Sequence, residues 1–491
     1  MTLIKALPPL RHIKALPLSN AYRGWRLWPP GAGRRNGKGA RMREDLRALY
    51  GEERLPRYTS YPPSPHFTAN IGAGHYASWL AEMPAAATAS LYLHVPFCRS
   101  MCWYCGCHTS ITRHDTPIAD YVGLLEREIG LVAARFEHVP LVRHVHFGGG
   151  TPTIMAPEAL LGLVATLRAH FLVDPKAEVA VEIDPRTLVP AMTDALGQAG
   201  VTRASLGVQS FDPAVQEAIR RRQGLDVTAA AVVGLRAAGV RGINLDLIYG
   251  LPHQTVDSCV DTVWQCLELR PDRFAVFGYA HVPAFKKHQR HIDKASLPDG
   301  RARLDQAEAI AETLAAAGYR RIGLDHYALA DDPLEIAQGE GRLRRNFQGY
   351  TTDPSDALIG LGASAIGRLP EGYVQNAPGL RAYAERVGRG ELATVKGYAL
   401  TSEDRLRADL IERIMCDFAV DVGRVCHAHG RNPEAFLATL VRLPALAADG
   451  LVRWDGGLLV VPAEARTFVR NVAAAFDAHL GTSAAVHSRA A

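Results

Sequence analysis

The run LYLHVPFCRSMCWYCGC occupies residues 91–107 and joins a β-rich pentapeptide to four thiols, Cys98, Cys102, Cys105 and Cys107. Half of the chain's eight cysteines therefore fall in one short loop directly after a candidate strand. Eight cysteines in 491 residues are too sparse for a secreted, disulfide-stapled scaffold. No uninterrupted apolar stretch of about 20 residues suggests a membrane span, and no apolar h-region suggests a secretory leader. A reducing cytoplasm is the expected compartment, where clustered cysteines bind metal or do chemistry. The C-x3-C-x2-C spacing of Cys98, Cys102 and Cys105 suits one face of an iron–sulfur cluster. Zinc normally takes a second knuckle at ordered distance, and no such pair follows. On chemistry alone, Cys107 as a fourth ligand stays open.

Hydrophobic residues make up 48% and charged residues 21%, ordinary for a globular chain long enough for two or three domains. The net charge of +5 misleads, because residues 1–41 hold nine Lys or Arg and no acid, so the remainder is negative by four. That segment repeats IKALP and then turns into WPPGAGRRNGKGAR. Its composition reads as a disordered extension, with Met42 a second candidate start, rather than as an arm for nucleic acid.

Outward from the cysteines, strand-like runs alternate with helical ones. The strands are LYLHV (91–95), RHVHF (143–147), EVAVEI (178–183), RASLGV (203–208), INLDLI (243–248) and RFAVFG (273–278). Amphipathic stretches such as DYVGLLEREIGLVAARF lie between them. Six strand–helix units imply parallel strands with right-handed crossovers, too few for a closed eight-unit barrel, so the count suggests a partial, open barrel or a doubly wound sheet. The C-terminal ends of the strands should carry the chemistry. TSEDRLRADLIERIMCDF reads as a capped helix, and LVRWDGGLLVV (451–461) as two strands about a turn.

An aromatic residue before the third cysteine, Tyr104, together with this spacing resembles the radical S-adenosylmethionine superfamily. RYTSYP (57–62), the cysteine run, HFGGGTPT (146–153), EIDPR (182–186), LGVQSF (206–211), NLDLIYGLP (244–252) and RRNFQGYTT (344–352) together resemble the oxygen-independent coproporphyrinogen III oxidases. The haem chaperone-like paralogues of the same superfamily share the three-cysteine motif and GGGTP but characteristically lack the Cys-Gly-Cys extension, RYTSYP and RNFQGYTT.

The resemblance implies an α/β fold, a partial (β/α)6 barrel with a C-terminal mainly helical domain. The expected divisions are 1–41 as extension, 42–88 as a segment covering the active site, 89–368 as the barrel and 369–491 as the helical domain with a small hairpin. It implies an oxidoreductase that decarboxylates two propionates of coproporphyrinogen III to vinyls. A 5′-deoxyadenosyl radical, formed from S-adenosylmethionine by a [4Fe–4S] cluster, would remove a propionate hydrogen. A low-potential electron donor, an electron acceptor and a monomeric state are further expectations, with no nucleic-acid partner.

Carried over residue by residue, Cys98, Cys102 and Cys105 would ligate the cluster, and Cys107 would serve catalysis without ligating it. Tyr92, Tyr104, Gly149, Glu182 and Ile366 would contact the first of two S-adenosylmethionines, Tyr92 being also a candidate in catalysis. Gly150, Thr151, Gln209, Arg221, Asp246 and Ala280 would contact the second. Without the resemblance, the glycines read as a turn, Arg221 as part of a solvated charge run, and Tyr92, Tyr104, Ala280 and Ile366 as core. FKKHQRHIDK (285–294) and Arg344-Arg345 are candidate receptors for the substrate's carboxylates, and Cys259, Cys266, Cys416 and Cys426 look structural.

Overall fold

The computed structural model describes Met42 and residues 44–481; the basic stretch 1–41 lies outside the described residues. The sheet-forming strands, in chain order, are β1 (Thr88–Val95), β2 (Leu141–Gly149), β3 (Leu172–Ile183), β4 (Arg203–Gln209), β5 (Gly242–Tyr249) and β6 (Arg273–Gly278). They continue with β7 (Arg320–Ile322), β8 (His326–Ala328), β9 (Ala357–Leu361), β10 (Ile366–Leu369), β11 (Gly372–Asn376) and β12 (Thr394–Ala399). All six strands anticipated from sequence are present as β1–β6.

These twelve strands form one sheet in the order β12-β11-β10-β9-β1-β2-β3-β4-β5-β6-β8-β7. Its centre is parallel from β9 through β1 to β6, and both flanks are antiparallel. The seventh parallel strand, β9, was not anticipated; it pairs Ala89 with Ala357 and Leu93 with Leu361 across a long stretch of chain. The sheet also runs past residue 368, the sequence-derived edge of the barrel, because β11 and β12 hydrogen-bond onto its outer flank as far as Ala399.

Helices cover the strands and bury one apolar stripe each. Thr116–Ala133 turns Ile118, Val122, Leu125, Ile129 and Val132 inward, the three- and four-residue spacing of a core-facing helix. β1 is buried along nearly its whole length although its residues alternate: Ala89, Leu91, Leu93 and Val95 join the apolar core, while Ser90, Tyr92 and His94 stand on the other face, where Ser90 lines a cavity.

Beyond Ala399 the chain is mainly helical. Thr401 caps Ser402–Asp417 by accepting from the Asp404 amide, and Asp404 reciprocates. Arg453–Asp455 and Leu458–Val460 form the anticipated hairpin, joined by Ala419–Asp421. Tyr58 and Tyr61 of RYTSYP are anchored in this region: Tyr58 donates to Asp477 Oδ2 at 3.0 Å, and the Ala478 amide donates to Tyr61 at 2.9 Å. Among the described residues, no helix is long and apolar enough to cross a membrane.

Candidate active site

Parallel strands bring their C-terminal ends to one edge of the sheet, and there the singled-out residues gather. β1 runs straight into Phe97–Cys98, which pairs with Ser110–Ile111 and so closes the cysteine loop on itself. The loop is held from outside by the segment after β6. Gln289 Nε2 donates to the Tyr104 carbonyl at 2.9 Å, Lys286 Nζ to the Cys107 carbonyl at 2.8 Å, and His288 Nε2 to the Cys105 carbonyl at 2.8 Å. Side chains of FKKHQRHIDK, read from sequence as candidate carboxylate receptors, thus serve the backbone of the cysteine loop. Arg344 and Arg345 are also engaged, Arg344 with Glu412 at 2.9 Å and Arg345 with Asp325 at 3.8 Å.

Each of the three motif thiols meets a distinct set of donors. Thr109 Oγ1 donates to Cys98 Sγ at 3.4 Å, and the Thr151 hydroxyl lies 3.3 Å from it. Cys102 Sγ accepts from Arg186 Nη2 at 3.4 Å and from Arg221 Nη1 at 3.6 Å. The hydrogen bond from the Cys107 side chain pushes the Cys105 thiol down to about 7 against its burial. The same bond, with Cys107 as donor, pushes the Cys107 thiol up. The bond thus favours the charged form of Cys105 and the protonated form of Cys107, and the Cys107 amide also lies 3.4 Å from Cys105 Sγ as a donor.

The arginines at Cys102 are balanced by Asp184. It accepts from Arg186 Nε at 2.9 Å and Nη2 at 2.6 Å, and from both Arg221 Nη atoms at 3.3 Å. Arg221 also donates from Nη2 to the Gly207 carbonyl at 2.7 Å. Two residues beyond Gly207, Gln209 sits at a β-bulge with φ of 70°, a conformation uncommon outside glycine and enriched at functional sites. Sequence reasoning singled out Arg221 but neither Asp184 nor Arg186, although both stand in the EIDPR motif.

Gly148, Gly149 and Gly150 form the end of β2 and its exit. A Cβ at Gly148 would stand 2.9 Å from both Glu182 Oε1 and Tyr92 Cε2, and one at Gly150 would stand 2.6 Å from the Phe97 carbonyl and Thr109. Gly149, at φ 118°, would drive a Cβ to 2.8 Å from the His94 ring. His94 Nε2–H donates to the His108 carbonyl at 3.0 Å, so Nδ1 is free to accept the Tyr92 hydroxyl at 2.9 Å. Burial lowers the His94 pKa, in keeping with this neutral tautomer. Glu182 accepts the Gly149 amide at 3.0 Å and lies 3.4 Å from His146 Nε2. Burial alone would raise its pKa, but those donors hold the carboxyl below its usual range.

Asp246, with Glu182, lines a cavity of about 190 Å3 inside the sheet's curve. It accepts from Ser205 Oγ at 2.9 Å and Asn244 Nδ2 at 2.7 Å, yet burial, with the Glu182 charge adding, pushes its carboxyl up to about 7. Ile366 opens β10, against Gly360, which is Tyr92's partner on β9. The Tyr104 side chain lies among Tyr279, Ile292 and Val215. Ala280 faces a larger cavity of about 680 Å3, and its carbonyl accepts from Gln289 Nε2 at 3.2 Å, the amide that also holds Tyr104. The other four cysteines are buried in the core, as expected of structural thiols.

The donor set fits a [4Fe–4S] cluster with a bound S-adenosylmethionine. Among the described residues no three Cys, His, Asp or Glu side chains converge closely enough to share a single metal ion, whereas a four-iron cube takes its thiolates at separate corners. Hydroxyl and guanidinium donors surround two of those sulfurs. Beside them lies a glycine backbone on which no side chain fits, with the Glu182 carboxylate against it.

The profile of the Radical SAM superfamily matches residues 92–263. The chain is 62% identical over 449 residues to the oxygen-independent coproporphyrinogen III oxidase of Bradyrhizobium diazoefficiens, covering 91% of this chain and all of that one. It is 42% identical over 426 residues to the enzyme of the same name from Cereibacter sphaeroides, covering 87% of this chain and 94% of that one. The solved structure of coproporphyrinogen III oxidase from Escherichia coli, described as a radical SAM enzyme, superposes with a TM-score of 0.84 at 36% identity, covering 89% of this chain and all of that one. A thiol loop at the mouth of a partial parallel barrel, and relatives matched over nearly their full length, show that this chain belongs to the oxygen-independent coproporphyrinogen III oxidase family of radical SAM enzymes.

Proposed function

We propose that the chain converts coproporphyrinogen III to protoporphyrinogen IX without oxygen, by oxidative decarboxylation of two propionates to vinyls in porphyrin biosynthesis. The observation that carries this reading is the loop of Cys98, Cys102 and Cys105 with two guanidiniums on one sulfur and two hydroxyls on another. When bound, the cluster and S-adenosylmethionine together supply the radical that removes a propionate hydrogen.

Cys98, Cys102 and Cys105 hold the cluster. Arg186 and Arg221 donate to the Cys102 sulfur and fix its place beside Asp184. Tyr92, Tyr104, Gly149, Glu182 and Ile366 orient the first S-adenosylmethionine, with the Glu182 carboxylate suited to ribose hydroxyls or a cationic group. Gly150, Thr151, Gln209, Arg221, Asp246 and Ala280 receive the second. Cys107, protonated and hydrogen-bonded to Cys105, keeps a hydrogen close to the reacting groups, and Tyr92 passes its hydroxyl hydrogen bond to neutral His94. A low-potential donor and an electron acceptor complete the reaction, and we place the protein in the cytoplasm as a monomer.

The test is anaerobic turnover of reconstituted protein with S-adenosylmethionine, a low-potential reductant, an electron acceptor and coproporphyrinogen III. Protoporphyrin after oxidation, together with 5′-deoxyadenosine, is the expected result; intact substrate despite a full cluster overturns the reading. Cys98→Ala should lose its iron. Cys107→Ala should keep the cluster absorbance and lose turnover, and iron loss in that variant would refute the separate roles.

A further inference from the structure

A cavity of about 680 Å3 lies at the ends of β5 and β6, within the roughly 300–1,000 Å3 range of small-molecule pockets. Six Arg or Lys and four Asp or Glu line it, so its walls are net positive. Those acids have partners of their own. Glu308 pairs with Arg47 at 2.9 Å, Asp325 with His326 at 2.8 Å, and Asp299 accepts the Ala302 amide at 2.8 Å as a helix cap. The cations come from separate parts of the chain: Arg57 from the segment ahead of the barrel, Arg303 from the helix Gly300–Ala316, Arg321 from β7 and Arg470 from the C-terminal region.

Two of these arginines are sunk into the wall. Arg303 is 9% exposed, with its guanidinium 5.6 Å from the centre of the Tyr249 ring. The backbone has been cleared for it: a Cβ on Gly250 would overlap the guanidinium, and one on Gly278 would stand 3.1 Å from Nη2. Arg470 is 4% exposed and donates from Nε to the Pro56 carbonyl at 2.9 Å. It also donates from Nη2 to the Leu55 carbonyl, and burial, then the charge of Arg57, push its guanidinium down to about 9. Arg57 donates to the Gly278 carbonyl at 3.3 Å, and Arg321 has a buried Nε with no hydrogen-bond partner among the described residues. The floor between these cations is aromatic, with Tyr249, Phe277 and Tyr327.

We infer that this cavity seats a flat macrocycle bearing several carboxylates at its rim, with Arg57, Arg303, Arg321 and Arg470 receiving those carboxylates. The assignment rests on the proposed function and names the residues that would bind its substrate. Separate cations around an aromatic floor match separate carboxylates around an apolar ring, because a guanidinium takes a carboxylate through two parallel hydrogen bonds. The cavity also reaches Ala280, whose carbonyl shares the Gln289 amide with the cysteine loop. The substrate's reacting side chain would thereby enter from the cluster's side.

The probes are coproporphyrin III, the oxidised and fluorescent form, and its tetramethyl ester, which keeps the ring and removes the charges. Both are titrated into anaerobic holoenzyme. Arg303→Met and Arg57→Ala should each weaken coproporphyrin binding by about 10- to 100-fold, the span for a hydrogen bond to a charged group, while ester binding is unmoved. Arg222→Ala, at an exposed pair with Glu217, should change neither. Arg57, exposed at the rim, carries the test should Arg303→Met fail to fold. Equal losses for acid and ester, or no loss for either, overturn the inference. If wild-type protein converts coproporphyrinogen while these variants keep its KM, the inference falls and the function stands. If wild-type protein neither binds nor converts it, both fall.

Discussion

Replacing Asp184 with Asn tests the charge balance at Cys102. The carboxylate is 12% exposed and serves Arg186 and Arg221, whose side chains are 18% and 6% exposed. Taking one partner from a buried ion pair costs about 3–5 kcal/mol, because the remaining charge is left without compensation. Here two cations are left, so Asp184→Asn belongs at the upper end of that range. Arg186→Met alone removes a donor and leaves Asp184 with Arg221, a loss of about 1.5–3 kcal/mol for a hydrogen bond to a charged group. The double variant strands only one cation. It should therefore be more stable than the sum of the single effects by at least ~1 kcal/mol, well outside the ~0.5 kcal/mol scatter of independent sites. Urea titration of the anaerobic protein, followed by tryptophan emission with iron per chain measured alongside, reads both stability and the state of the site. The pH dependence gives a second check. Burial would raise the Asp184 pKa, but Arg186 and Arg221 outweigh it and hold the carboxyl below its ordinary value. Its contribution is thus present above the unfolded value of about 3.9 and is lost as pH falls through the folded one. Wild type and Asp184→Asn should differ at neutral pH and converge only below about pH 4. Simple additivity of the two substitutions, or a gap that is independent of pH, refutes the balance.

Gly149→Ala should cost about 1–3 kcal/mol for the backbone conformation alone, and more because its Cβ would displace His94 from the Tyr92 hydroxyl. His94→Ala in the same chain should recover the second part; strictly additive losses in thermal melts would show that the ring is not what the alanine meets. Glu128 is 1% exposed and accepts from Tyr383, Asn376 and the Gly362 amide, while burial pushes its carboxyl up to about 7. A raised acid in the folded state weakens folding as pH climbs from about 4.5 to about 7, by up to ~3 kcal/mol, and has no further effect above that. Glu128→Gln should remove that slope, and an unchanged pH profile of the melting temperature would refute the assignment.

The parallel centre of the sheet was legible because β1–β6 are short runs with apolar residues at alternate positions, separated by helical stretches, so local pattern and tertiary role agree. β9 was hidden for the opposite reason. Its ALIGL sequence is apolar without alternation, and its partner β1 lies far back in the chain. The antiparallel β11 and β12 likewise follow the point where the helical alternation ends. At the site, the cysteines and glycines announce themselves by type and spacing. Asp184 does not: Asp-Pro-Arg reads as a turn, which it also is, and Arg221, which gives the carboxylate its second partner, is remote in sequence. In the run 285–294 the sequence does not separate donors to backbone carbonyls, as Lys286 and His288 are, from surface cations, because such donors leave no mark of their own.

The pairing of β1 with β9 also bears on how the protein is made. β1 can acquire β2 soon after it emerges, but its other edge waits for residues 357–361. That is about 260 residues of further synthesis, or roughly 13–50 s at 5–20 residues per second. During that interval an apolar strand presents unpaired amides and carbonyls to the surroundings, a template for wrong partners. The same delay leaves the thiols at the end of β1 beside an unfinished sheet, open to iron delivery before the barrel is complete.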